Sequence, residues 1–179
     1  MRALVIALCV GICFIFSAIA ADDDTIYSLV NKEDTRTFSE LLSIGYEVDD
    51  ADGDGNTPLM IASALGKSNF LLFLINLGGN VNRRNYDGVS ALHFASSAGH
   101  NNTIDILLAN DAVINMPDYD GNTPLHYAVK ANHRFIVERL VKEGADVNFV
   151  NASGETAYDI AVKSHFNDII AFLKPLTKQ

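Results

Sequence analysis

The sequence has no tryptophan, four prolines and two cysteines, and both cysteines, Cys9 and Cys13, fall within the first thirteen residues. Beyond them neither a disulfide nor a cysteine-ligated zinc site can form. Basic residues are scarce as well: 13 Lys and Arg stand against 22 Asp and Glu, giving a formal net charge of −9 and a pI near 4.8. A phosphate-binding face needs clustered Lys and Arg, so this balance argues against a nucleic-acid partner. Low-complexity and collagen-like segments are missing too. What is present, 179 residues of which 49% are hydrophobic, suits one domain of ordinary size.

The longest uncharged run opens the chain. Arg2 is followed by nineteen uncharged residues, Ala3 to Ala21, and then by Asp22, Asp23 and Asp24. A positive start, an apolar middle and the small-x-small step Ala18-Ile19-Ala20 are the parts a signal peptidase needs. The expected signal is residues 1–20, cut between Ala20 and Ala21. An uncleaved anchor through residues 3–21 is the alternative, because this length is close to the roughly 20 residues that span a bilayer. In either case Arg2 holds the amino end inside and the remainder crosses. The expected location is therefore periplasmic or secreted, with no membrane association once the signal is cut. A cysteine-free exported domain points toward a periplasm, since small secreted domains often lean on disulfides. Eleven of the acidic residues lie between Ala21 and Asp54, against Lys32 and Arg36 alone, so the excess charge sits at one end, expected as a solvated cap with an acidic docking patch as the alternative.

Comparing the chain with itself reveals its organisation. Asp54-Gly55, Asp87-Gly88, Asp120-Gly121 and Ser153-Gly154 recur at intervals of 33 residues. Thr57-Pro58-Leu59 and Thr123-Pro124-Leu125-His126 return as Ser90-Ala91-Leu92-His93 and Thr156-Ala157-Tyr158-Asp159. Ala62, Ala95, Ala128 and Ala161 keep one register, and Gly45, Gly78, Asp111 and Gly144 keep another. This pattern resembles the ankyrin-repeat family, whose period is 33 and whose signature is T-P-L-H-x-A. The resemblance extends over essentially all of residues 21–179. It implies an all-α solenoid of about five helix-turn-helix repeats with short β-hairpin fingers, at about 21–53, 54–86, 87–119, 120–152 and 153–179.

Each repeated feature has a mechanical reason. Proline fixes φ in the first helical turn and wastes no donor there, and Thr57 and Thr123 are natural caps in front of it. The alanines sit where inner helices press together, so a larger side chain would push the stack apart. Apolar pairs at helical spacing define the outer helices: Phe70, Leu71, Leu74 and Ile75; Ile104, Leu107 and Leu108; Ile136, Val137, Leu140 and Val141; Ile169, Ile170 and Leu173. The glycines at 45, 78 and 144 end helices in a left-handed conformation, and Asp111 is a residue that tolerates it.

Chemical motifs are few. Asp50-Ala51-Asp52-Gly53-Asp54-Gly55 matches half a calcium loop, but its closing position falls on Ile61 and Pro58 interrupts it, so no metal is expected. His93 with His126, and His100 with His133, are motif positions 33 apart, which favours hydrogen-bonding roles over ligation; His165 stands alone. No catalytic triad has local support, and neither catalysis nor a cofactor is expected. Asn101 and Asn151 head glycosylation sequons, relevant in a eukaryotic host.

A solenoid offers a stiff concave surface of finger tips and inner helices. The resemblance places its variable finger positions at Asp50, Gly53 and Asn56; Arg83, Tyr86 and Val89; Met116, Tyr119 and Asn122; and Phe149, Ala152 and Glu155, with Lys130 and Lys163 on the inner helices. Arg83, Tyr86, Val89, Met116, Tyr119, Lys130 and Phe149 gather large apolar groups beside cations on adjacent fingers, a mixture that suits binding of another protein. Exported relatives of this kind include proteins that accompany and protect an enzyme such as catalase, and others that neutralise a toxin. The expectation is a non-catalytic monomer acting as an accessory or protective partner of another exported protein, with an inhibitor or immunity role as the alternative.

Overall fold

The computed structural model describes residues 24–177. The expected signal, with Ala20 and Ala21, lies outside the described residues. Among those described, five pairs of short helices follow one another. The inner helices are α1 (Asp24–Lys32), α3 (Pro58–Ala64), α5 (Ala91–Ala98), α7 (Pro124–Lys130) and α9 (Ala157–Lys163). The outer ones are α2 (Thr35–Ser43), α4 (Ser68–Asn76), α6 (Asn101–Ala109), α8 (Arg134–Lys142) and α10 (Asn167–Leu173).

Helices of seven to nine residues do not stand alone in water, so packing must hold them. Their starts are set locally. Thr57 is extended at φ −80° and ψ 161°, and its hydroxyl accepts from the Met60 N–H at 3.3 Å, with Pro58 in the first turn. Their ends are set by left-handed residues. Asp111 adopts φ +62° in the register where Gly45, Gly78 and Gly144 are also positive. A further left-handed register, which no repeated residue type marks in the sequence, joins each inner helix to its outer one: Glu33, Gly66, Gly99, Asn132 and His165, again 33 apart, with φ between 54° and 78°.

The inner helices stack through Ala62, Ala95, Ala128 and Ala161, all fully buried, and the outer helices seal the stack with Phe70, Leu71, Leu74, Ile104, Leu107, Val137, Leu140, Ile169 and Leu173. One continuous apolar core runs from Leu29 to Leu173. Because Ala128 on α7 lies between α5 and α9 with no exposed surface, Ala128→Phe is expected to overpack the stack and cost about 1–3 kcal/mol. Thermal melts of variant and parent check this; equal midpoints would contradict the packing.

The expected β-hairpins are corrected. Among the described residues the fingers form no strands, and one isolated antiparallel bridge joins Arg84 to Ser90. The reason is their tightness. Each tip closes within five residues, with Asp52 N–H bonded to Asn56 O, Asn85 N–H to Val89 O, Asp118 N–H to Asn122 O and Asn151 N–H to Glu155 O, at 2.9–3.0 Å, and a tighter turn bond inside each from the N–H of Gly55, Gly88, Gly121 or Gly154. Too little chain remains for a ladder.

Candidate protein-binding face

The fingers are tied to one another rather than free. Tyr86 N–H donates to the Asp54 carbonyl at 3.2 Å, Tyr119 N–H to Asp87 at 3.0 Å and Ala152 N–H to Asp120 at 2.8 Å. A second row runs through side chains at the finger bases: Asp49 accepts from Asn80 N–H, Asn82 from Val113 N–H and Asn115 from Asp146 N–H. Deeper in the fingers, Asn85 donates to the Asn56 side chain at 2.9 Å and Asn151 to that of Asn122 at 3.0 Å. This last row skips the step after Val89, which has no polar group to offer. There Arg84 takes over, donating to the Gly88 and Pro117 carbonyls at 2.9 and 2.8 Å.

On this scaffold Tyr86 and Tyr119 stand outward, 72% and 69% exposed. Each ring rests against the glycine of the preceding finger. A Cβ built on Gly55 would lie 2.9 Å from Cδ1 of Tyr86, and one on Gly88 would lie 2.9 Å from Cδ1 of Tyr119. Only glycine leaves room for that approach, and both positions also have positive φ. The Arg84 guanidinium lies 4.8 Å from the Tyr119 ring centroid, a cation–π distance. Both tyrosines are thus held from one side and open on the other. Arg83, on the same finger as Tyr86, is exposed.

Other residues of the expected face are placed differently. Val89 is a correction: it is only 7% exposed, because the register after the finger glycine, Asn56, Val89, Asn122 and Glu155, turns into the stack. Met116 and Phe149 are half-buried, and the Phe149 ring meets His126 edge-on with centroids 6.4 Å apart. Lys130 is exposed but tethered, donating to Asn122 Oδ1 at 2.8 Å with its Nζ 5.9 Å from the Tyr127 ring. Lys163 is paired with Glu155 at 3.1 Å. Arg84, not the neighbouring Arg83, organises the central fingers; nothing in the sequence marks it, since Ala51, Pro117 and Val150 hold its register elsewhere.

His93, His126, His100 and His133 tie repeats together through hydrogen bonds. Ser90 N–H donates to His93 Nδ1 at 3.1 Å, so Nε2 carries the hydrogen and faces the Asn122 carbonyl at 3.1 Å. His126 repeats the arrangement between Thr123 and Glu155. Burial pushes His93 down to about 4, with Asp118 opposing that shift and Arg84 adding to it, and burial lowers His126 as well. His100 and His133 reach the Ala64 and Ser97 carbonyls of the preceding repeat at 3.1 and 3.0 Å, their rings lying against Gly66 and Gly99. In the half-calcium loop Asp52 accepts from Asp54 N–H, Asn56 N–H and Asn56 Nδ2, which makes it a turn former. Among the described residues no group of three or more His, Cys, Asp or Glu converges on a metal position. Asn151 is buried and bonded through both ends of its amide, whereas Asn101 is exposed at the start of α6.

A stack of helix pairs with a row of outward fingers defines a repeat protein built to present a surface. The match to known families agrees: a family model of ankyrin repeats in three copies matches residues 25–118, and one of ankyrin repeats in many copies matches residues 107–161. The chain belongs to the ankyrin-repeat family, whose members are protein–protein interaction modules. No curated protein matches it.

Proposed function

We propose that the chain acts outside the cytoplasm as a non-catalytic accessory or protective partner that holds another exported protein on its finger face. The observation that carries the binding face is the pair of tyrosines on adjacent fingers, 72% and 69% exposed yet fixed from behind by Gly55 and Gly88. Rings already seated against backbone on one side lose less freedom on binding, and aromatic anchors of this kind dominate interface energies. The export reading is supported by the charge order of residues 2–24 alone.

A photoreactive side chain placed at Tyr119 is expected to crosslink the partner in the native compartment, while the same group at Phe135, 82% exposed on the outer helix α8, stays unreacted. The reverse pattern would move the binding face to the outer helices. Mass spectrometry of the exported protein is expected to find Ala21 at its amino end; an intact Met1 in a membrane fraction would replace the cleaved signal with an anchor.

A further inference from the structure

We infer that the partner offers arginine or lysine side chains to the finger tips, their cationic groups received by the Tyr86 and Tyr119 rings and by the carboxylates of Asp54, Asp87 and Asp120. This rests on the binding-face reading above and adds the chemistry of what is bound.

The charge of the finger row selects the occupant. Asp87 directly follows Tyr86, Asp120 directly follows Tyr119, and Asp54 heads the preceding finger. All three are exposed, and among the described residues none of their carboxylates takes part in an ion pair. Their backbone carbonyls are the acceptors of the bonds between fingers, so the carboxylates are carried at fixed places along the row. The nearby cations are mostly engaged within the protein: Arg84 by two carbonyls and Tyr119, Lys130 by Asn122, and Lys163 by Glu155. Arg83 alone on this face has a guanidinium without such a partner among the described residues. The field of the row is felt inside: the hydroxyl of Tyr127 is pushed up first by burial, then by its bond to Asp118 and by the charges of Asp118, Asp120 and Asp87.

The rings match the same ligand. Tyr119 already accepts one guanidinium, that of Arg84 at 4.8 Å, which shows that the finger geometry admits a cation over the ring. An apolar partner laid across the row would strip water from three carboxylates and return nothing, and an acidic one would add repulsion. A basic segment satisfies both the rings and the charges.

The test uses the whole chain and a synthetic, unstructured twelve-residue peptide carrying four arginines among glycine and serine. Its controls are the same peptide with citrulline for arginine, which keeps the shape and removes the charge, and with glutamate. In an NMR titration the arginine peptide is expected to shift the Tyr86 and Tyr119 ring signals, and the two control peptides to leave them in place. Asp87→Asn with Asp120→Asn should weaken binding at least tenfold. Glu47→Gln with Asp168→Asn, the same change in net charge elsewhere on the surface, should stay within twofold of the parent. Equal weakening by both pairs, or equal binding of the citrulline peptide, would overturn the inference. The two readings separate cleanly on the native partner. Crosslinking at position 119 that is unchanged by Asp87→Asn with Asp120→Asn would leave the face standing and remove its cationic ligand, whereas absence of crosslinking there would remove the face itself.

Discussion

Between pH 6.5 and 4 the protein is expected to lose on the order of 3 kcal/mol of stability through His93 alone. His93 is fully buried, with Nδ1 accepting from Ser90 and Nε2–H facing the Asn122 carbonyl, and burial lowers it to about 4. A free histidine titrates near 6.5. As the pH falls below that value the unfolded chain takes up a proton that the folded chain refuses, so stability drops until the folded pKa is reached and then levels off. His126, lowered by the same cause, adds to the fall. Asp34 and Asp159 are lowered carboxylates, held by Thr37 and Thr156, and their stabilisation is lost only when the pH falls below the ordinary carboxylate value of 3.8. The two windows are therefore distinct. The protein supplies its own control, because Met60 occupies the histidine register in the second repeat and is buried there without titrating. Circular-dichroism melts at pH 7, 5.5 and 4.5 should show a steep fall for the parent and a shallow one for His93→Met with His126→Met. Parallel curves would refute histidine as the cause.

Replacing Tyr86 and Tyr119 with alanine is expected to abolish capture of the partner while lowering the melting temperature little. A central aromatic anchor contributes about 2 kcal/mol or more to binding, roughly thirtyfold in affinity, and two adjacent anchors contribute more. The bonds between fingers run through the backbone N–H groups of these residues, which alanine keeps. Arg84 loses its ring in Tyr119→Ala but retains the Gly88 and Pro117 carbonyls. Phe149 behaves differently. It covers His126 edge-on, so Phe149→Ala should open the buried histidine to water and lower the melting temperature more than the two tyrosine changes together. Affinity measured alongside melting separates the roles. Normal capture by the tyrosine double variant would exclude the finger tips as the site.

The repeat architecture was legible in the sequence because each contact is made once per 33 residues and written several times over. A lone Thr-Pro step is an ambiguous turn, but Thr57-Pro58 and Thr123-Pro124, with buried alanines following at fixed spacing, leave one solution. The paired histidines were legible for the same reason. The left-handed register at Glu33, Gly66, Gly99, Asn132 and His165 was not, because glycine holds only two of its five positions. Those two glycines are explained across repeats, by the rings of His100 and His133 lying against them.

The finger face divides along the same line. That Tyr86 and Tyr119 belong to equivalent fingers follows from the period, a property of the chain alone. Which side chains of a finger turn outward is set by what the neighbouring finger offers. Val89 was expected on the surface and is buried in the register where Asn56 and Asn122 bond to the next finger. Arg83 and Arg84 are adjacent and chemically identical, yet only Arg84 meets the carbonyls of Gly88 and Pro117 and the ring of Tyr119. Periodicity, caps and small residues are local and so were determined by the sequence by itself. The direction of each finger side chain depends on contacts about thirty residues away, which only the tertiary structure decides.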